Sequence, residues 1–435
     1  MTSAGRFATA TSQNHPHGAT LEALLAAATQ AADPQQQIAR AINVDATGIT
    51  IGATRYTPSS VVLLAVGKAA VTMADAAMQN LGTLVSHGLV IYKDDDGTPH
   101  HPQLTYLAAG HPVPDARSLV AGQRARHLLQ QTSADQLIVV LLSGGGSALM
   151  VDPLPGIDLA QMQQLTRDLL ASGADINAIN TIRRRIDGVK GGGLARAAGA
   201  TPMATLILSD VIGNPLAAIA SGPTVANPDS AHAAWQVVQQ AGLTTISPAI
   251  EVALTAPLPP DYTTYATPLI IGDIRQAITA AAQVAQQAGY TPLILSDTLN
   301  GEAREVGRTL GHIATYHARH DQRICLLAGG ETTVTIRGNG LGGRNQELAL
   351  GAALSIHGIP NILCAAYASD GGDGPSDAAG AVVDGNTITR AKAAGQDAHA
   401  ALARNDSYYF FDAIADLLKP GATGTNVNDL FVALL

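Results

Sequence analysis

Short apolar runs alternating with longer alanine-rich segments constrain this chain more than any other feature. SVVLLAVG (60–67), HGLVIYK (87–93), QLIVVLLSG (136–144), ATLILSD (204–210), PLIIGD (268–273), TPLILSD (291–297), RICLLAGG (323–330), TTVTIRG (332–338) and NILCAAYASD (361–370) read as strands. Between them, LAQMQQLTRDLLASG (159–173), RQAITAAAQVAQQAG (275–289) and NQELALGAALSIHG (345–358) carry apolar residues at helical spacing and end on glycine, a favoured helix stop. Strand–helix alternation predicts an α/β fold, with parallel sheets covered by helices on both faces. The 435 residues suffice for two domains. The Pro- and Thr-containing stretch ALTAPLPPDYTTYAT (253–267) breaks the pattern and reads as a linker. The expected division is a loose polar tail at 1–18, a first domain at 19–252 and a second at 253–435. The final run LFVALL reads as a strand that could cross back.

Composition narrows the function. Hydrophobic residues make up 46% but aromatics only 3%, so the cores must be built from Ala, Leu, Val and Ile, and stacking platforms for single-stranded nucleic acid are not expected. The net charge of −9 disfavours a nucleic-acid surface. The one compact basic cluster, RRRIDGVK (183–190), suits a small anion better than a polyanion. Cys325 and Cys364 sit in apolar runs and read as buried, inert thiols. No apolar run approaches the roughly 18–20 residues of a membrane span, and the first 18 residues lack a signal-peptide core. The expectation is a soluble, cytoplasmic protein.

Glycine turns and acidic residues cluster at predicted strand ends, the edge where open α/β sheets bind ligands. LLSGGGSAL (141–149) and LLAGGETTV (326–334) share a strand, a glycine turn and small hydroxyl residues. Ser143, Gly144, Gly145, Gly146 and Ser147 suit a phosphate or carboxylate, because glycine lets backbone N–H groups turn toward an anion; the alternative is a tight turn without a ligand. Ser-Asp recurs at 209–210, 296–297 and 369–370. Lys68 and Arg344 each stand at a predicted helix start, where a cation opposes the dipole. Such local conflict marks functional sites, although solvent-facing cations would explain it too. Asp370, Asp373 and Asp377 lie among glycines; oxygen ligands there suit a hard cation, with magnesium carried in by a nucleotide preferred over structural calcium, against the alternative of a solvated acidic loop. Lone His111 reads as structural. Neither the G-x-x-x-x-G-K-[ST] motif nor the protein-kinase motif set is present. RGNGLGGRNQE (337–347) fits G-x-G-x-x-G through Gly338, Gly340 and Gly343. That leaves two readings: a dinucleotide cradle for hydride transfer, or a turn presenting Arg344 to phosphate. Asp370, 27 residues past Gly343, is somewhat far for the dinucleotide pattern.

From about residue 20 onward the chain resembles the MOFRL-type glycerate 2-kinases, a family often labelled hydroxypyruvate reductase. The resemblance rests on VGKAA (66–70), GHPVPD (110–115), LLSGGGSAL (141–149), VKGGGLA (189–195), LILSDVIGNPLAAIASGPT (206–224), GEAREV (301–306), GGRNQELAL (342–350), ASDGGDGPSDAAGA (368–381) and GTNVNDL (424–430). It implies a Rossmann-like N-terminal domain, a second α/β MOFRL domain, and an active site in the cleft between them. It implies transfer of phosphate from ATP, with Mg²⁺, to the 2-hydroxyl of D-glycerate. Lys68 and Arg344 match the family's proposed catalytic lysine and arginine. Asp210 is expected to hold Mg²⁺ or orient the hydroxyl, with Asp370 and Asp373 as alternatives. The ligand-binding set is completed by Lys190, Asn214, Glu331, Asn345 and Glu347. Arg185 and Asp187 stand where relatives often carry His and Ser, which bears on the glycerate or phosphate pocket. The competing expectation is an NAD(P)H-dependent hydroxypyruvate reductase. Expected partners are glycerate and ATP, with no nucleic acid and no membrane, for a monomer or homodimer.

Overall fold

The computed structural model describes residues 3–93, 101–319 and 323–435. The chain forms two compact units, one of Pro34–Ile271 and one of Met1–Asp33 with Gly272–Leu435.

Pro34–Ile271 begins with a small antiparallel sheet of β1 (Ile42–Asp45), β2 (Gly48–Ile51) and β3 (Thr54–Tyr56). Its main sheet holds β4 (Val61–Val66), β5 (Val85–Lys93), β6 (Leu104–Ala109), β7 (Leu137–Leu142), β8 (Met203–Leu208) and β9 (Ala266–Gly272), in the order β6-β5-β4-β7-β8-β9. The first five are parallel. Every residue of β4, β7 and β8 is buried, as expected of central parallel strands covered on both faces. Helices Ala70–Leu81 and Ala116–Gln130 pack on this sheet. The second begins where Asp115 accepts the Arg117 and Ser118 N–H groups at 2.9 and 3.1 Å, a standard N-cap. Leu159–Ala171, Ile176–Ile186, Ala231–Gln240 and Pro248–Thr255 form a helical annex with its own core around Leu165, Ile182, Val238 and Leu254.

The other unit carries β10 (Thr291–Leu299), β11 (Ile324–Gly330), β12 (Leu363–Ala368), β13 (Gly380–Asp384), β14 (Leu417–Leu418) and β15 (Asp429–Leu434), in the order β10-β11-β15-β12-β13-β14. Only β10 and β11 run parallel; the other pairings are antiparallel. The α/β class expected holds, but this sheet is mixed and mostly antiparallel where a parallel one was expected. LFVALL does cross back, inserting β15 between β11 and β12. TTVTIRG is not a strand: its only ladder contact is an isolated bridge from Thr333 to Glu302. Helices Ala303–His317 and Arg344–Ile356 pack closely through small residues such as Gly307 and Gly351.

The N-terminus also departs from expectation. Residues 1 and 2 lie outside the described residues, but Ser3–Phe7 and Ala10–Asn14 are helical rather than a loose tail. Phe7 packs edge-on against Tyr367, with centroids 5.3 Å apart, and the Thr11 N–H and hydroxyl both donate to Asp416 at 2.8 Å. The first 33 residues therefore belong to the C-terminal unit, and the division expected at 252/253 falls instead at 271/272. The linker expected at 253–267 holds the end of one helix, a loop and the start of β9.

Candidate functional site

Strand order in the parallel sheet reverses between β4 and β7. A crevice forms at such a switch point, at the carboxyl ends of the strands. Gly67–Ala69 leaves β4 there and Ser143–Gly146 leaves β7. The two turns are hydrogen-bonded together: Ser143 N–H donates to Val66 O at 3.0 Å, Lys68 N–H to Gly144 O at 2.9 Å, and Ala69 N–H to Ser143 Oγ at 3.0 Å. Gly145 has φ +88°, the left-handed conformation that favours glycine. A β-carbon on it would lie 3.0 Å from His111 Cδ2 and 3.4 Å from Lys68 Cγ. One on Gly144 would lie 2.6 Å from Asp210 Cγ and would overlap its carboxylate. The glycines thus admit three side chains to the turn: Lys68 from β4, His111 from beyond β6 and Asp210 from β8.

Lys68 is exposed and stands just before the helix Ala70–Leu81. Ser147 lies in the short helix Gly146–Leu149 and is 2.8 Å from Ser221 Oγ, which donates to Asn180 Oδ1 at 3.2 Å. His111 is the residue that sequence reasoning set aside. Burial, then the charges of Lys68 and Lys93, hold its imidazole below the ordinary range. The signal available for it was its place in GHPVPD after a sheet strand. Asn214 is half-buried in the loop after β8, with φ +55°. Lys190 stands apart from the turn in character: its fully buried amine donates to Met150 O at 2.9 Å and pairs with Asp187 Oδ2 at 2.6 Å. The departure at Asp187 therefore supplies the counter-charge to Lys190.

In the other unit, Arg344 opens the helix Arg344–Ile356 with its guanidinium already held. It donates to Asp429 Oδ2 at 2.6 Å, Asp429 Oδ1 at 3.1 Å and Glu331 Oε1 at 2.7 Å. Burial would lower its pKa, but the Asp429 and Glu331 carboxylates more than offset this and raise it. Burial pushes Asp429 up to about 6 despite the facing arginine. Asp429, which sequence reasoning missed, reaches Arg344 only because β15 inserts beside β11. Asp373 is sealed under the helix start, accepting Asn345 N–H at 3.1 Å and Gln346 N–H at 2.9 Å. Glu347 is turned inward, paired with Arg304 Nη2 at 2.7 Å and Asn405 Nδ2 at 2.7 Å. Asp370 is exposed and accepts Gly372 N–H at 3.1 Å.

The glycines of 337–347 have no positive φ. They are required by close packing. β-Carbons on Gly338 and Gly340 would strike the 404–406 backbone or side chains, and one on Gly343 would strike the Asp373 carboxylate. These faces are filled by the protein itself, so the segment does not offer the open glycine approach a dinucleotide pyrophosphate needs. Among the described residues, no group of three or more His, Cys, Asp or Glu could hold a metal ion, and no helix is long and apolar enough to cross a membrane. Both cysteines are buried, and burial pushes Cys325 up to about 12.

A lysine, a glycine turn and a carboxylate gathered at the switch point of a parallel sheet place the chain among the α/β proteins whose ligand crevice lies at the strand ends. Residues 20–255 match a family model described only as a domain of unknown function, and residues 324–429 match the MOFRL family. A D-glycerate 2-kinase from Thermotoga maritima is 39% identical, covering 86% of this chain and 90% of its own length. A protein from Agrobacterium vitis provisionally named hydroxypyruvate reductase is 38% identical, covering 86% of this chain and 87% of its own length. The crystal structure of the Thermotoga maritima glycerate kinase superposes with a TM-score of 0.87 at 36% identity, covering 95% of this chain and 97% of that one. The chain belongs to the MOFRL-containing glycerate kinase family.

Proposed function

We propose that this protein is a glycerate 2-kinase, transferring the terminal phosphoryl group of ATP to the 2-hydroxyl of D-glycerate. The observation that carries the reading is the convergence of Lys68, the Ser143–Gly146 turn and Asp210 on one strand edge. Phosphoryl transfer needs positioning and charge neutralisation more than covalent chemistry. The Lys68 ammonium, exposed beside Gly145, would neutralise charge on the transferred group. The turn would receive phosphate oxygens on its backbone. Asp210 would orient the attacking hydroxyl.

Magnesium bound with a nucleotide typically keeps several waters and takes one or two protein carboxylates. Asp210 fits that demand, and exposed Asp370 is the alternative. Asp373 does not fit, because its oxygens already accept helix N–H groups. When bound, the ion would neutralise charge on the phosphates. Arg344 in the MOFRL unit remains a proposed catalytic residue, and its guanidinium would act on a ligand only after release from Asp429 and Glu331. Asn214, Glu331 and Asn345 remain proposed contributors to ligand binding; Lys190 and Glu347 are better read as buried supports for the two units.

The test is a paired assay on the purified protein. One arm holds D-glycerate, ATP and Mg²⁺, with product read through enolase; the other holds hydroxypyruvate with NADH or NADPH. Enolase-competent product without nucleotide oxidation is expected, and replacing Lys68 by Ala should cut turnover roughly 10³-fold or more. Nucleotide oxidation without phosphorylated product would overturn the proposal.

A further inference from the structure

RRRIDGVK contains three consecutive arginines with three different fates. Arg184 is ion-paired with Asp229 at 2.5 Å and donates to Ala217 O at 2.8 Å. Arg185 is buried and donates to the Leu254 and Ala256 carbonyls. Arg183, half-buried on the same helix, makes no hydrogen bond or ion pair among the described residues. The negative charge acting on it is Asp187, already bound to Lys190. Arg183 lines a cavity of about 310 Å³ whose walls include Val113, Ala148, Val151 and Met162. A second cavity of about 340 Å³ is lined by Arg126, Arg184, Arg185 and Arg196, but each of those has a carboxylate or carbonyl partner. The unmatched cation therefore faces the first cavity.

That cavity adjoins the glycine turn. Ser147, two residues past Gly145, lines it. Ser221 donates its proton to Asn180, so Ser147 donates to Ser221 and keeps lone pairs for a further donor. The wall thus offers a planar guanidinium fork and, nearer the turn, a hydroxyl acceptor. A guanidinium is matched bidentately by carboxylate or phosphate. Charge count chooses between them: Arg183 is the one cation of this largely apolar wall that is both withdrawn from solvent and unpaired among the described residues, and it balances a monoanion, whereas a triphosphate would leave charge uncompensated. Of the other cations on this wall, Lys190 is already neutralised, and Arg167 is exposed to solvent and donates to Gln164 Oε1 at 2.7 Å.

We infer that Arg183 binds the carboxylate of the hydroxy-acid substrate, with Ser147 accepting a hydrogen bond from one of its hydroxyls. This rests on the glycerate kinase reading and adds the residue that selects an acid over a neutral polyol. Steady-state kinetics on Arg183→Gln and Arg183→Lys test it, with isothermal titration of D-glycerate into each protein without nucleotide. KM for D-glycerate should rise about 10²-fold in Arg183→Gln, the expected weight of charge-assisted hydrogen bonds. KM for ATP should hold within about threefold, and Arg183→Lys should recover part of the loss. The wild-type preference for D-glycerate over uncharged glyceramide should shrink in Arg183→Gln, a change that a merely structural role would not produce. Thermal stability should not fall, since no partner of Arg183 is stranded. An unchanged glycerate KM, or a rise confined to ATP, would overturn the inference while leaving the kinase reading intact. If the wild type fails to phosphorylate glycerate, that reading fails and titration decides. Glycerate bound by wild type and lost in Arg183→Gln supports the inference; glycerate unbound by wild type, or bound equally by both, refutes it.

Discussion

Arg344→Ala tests both the catalytic and the architectural role of this arginine, and the structure predicts that the two effects will be entangled. Asp429 receives two bonds from Arg344, at 2.6 and 3.1 Å, and its side chain is only 8% exposed. Removing the arginine leaves a buried carboxylate without its main counter-charge, which typically costs about 3–5 kcal/mol. Asp429 already sits at about 6 with Arg344 present, because burial disfavours its charge. Without Arg344 it must rise further. A carboxyl whose folded pKa lies above its unfolded value binds the proton better when folded, so stability increases as pH falls through that range. Urea unfolding of Arg344→Ala should therefore show the full deficit at pH 8 and a smaller one at pH 5. Arg344→Ala/Asp429→Asn, which removes the stranded charge, should recover most of the stability at pH 8. Turnover should stay about 10³-fold or more below wild type in both variants if Arg344 acts on the phosphoryl group. Wild-type stability of Arg344→Ala at pH 8 would refute the buried-pair argument. Restored turnover in the double variant would refute the catalytic one.

Gly144→Ala should force the Asp210 carboxylate away from the turn, lowering turnover about 10²-fold with a stability loss of about 1–3 kcal/mol; Gly144→Ala/Asp210→Ala should be no slower than Asp210→Ala, and kinetics on the three variants check this. Asp187→Ala leaves the buried Lys190 amine with Met150 O alone and should lose about 3–5 kcal/mol in denaturant unfolding. Because burial already lowers the Lys190 pKa, that loss should ease as pH rises toward the unfolded lysine value. His111 has a folded pKa below 6.5, so as pH falls below 6.5 the unfolded chain takes up the proton first and wild type should lose stability relative to His111→Asn; parallel stability curves would contradict this. Neither cysteine should react with a thiol reagent until the protein unfolds, since both are buried.

The parallel sheet was legible because its central strands are buried on both faces and so read as unbroken apolar runs. VVLLAV, LIVVLL and MATLIL could be little else. The second sheet was harder. Apolar runs announce burial but not direction, and the antiparallel pairing of β15 with β11 and β12 depends on a chain reversal near 419–428 with no strong local signal. TTVTIRG has the β-branched composition of a strand, yet the backbone after Glu331 runs off the sheet toward 404–406, where Asn405 Oδ1 accepts the Arg337 and Gly338 N–H groups at 2.6 and 3.0 Å. At the site, Lys68, the Ser143–Ser147 turn and Asp210 were visible because their strand ends must lie on one edge of a parallel sheet. His111 was undervalued because strand β6 was not recognised, and only that strand carries the 110–115 loop to the same edge.

The two glycine-rich stretches show why a pattern of residue types underdetermines a site. Glycine is required where φ is positive and where something packs against its α-carbon, and sequence does not distinguish the cases. At 144–145 what approaches is Asp210, His111 and Lys68, so the glycines bring functional groups together. At 338–343 it is the 404–406 segment and Asp373, so they seal a seam. The three arginines make the same point for charge. Helical spacing already puts residues 183, 184 and 185 on different faces, but the groups that quench two of them lie 45 to 71 residues further along the chain. Only the folded chain singles out Arg183 as the one of the three without a partner among the described residues, and a partner from solution is then the economical explanation for its place in the cavity wall.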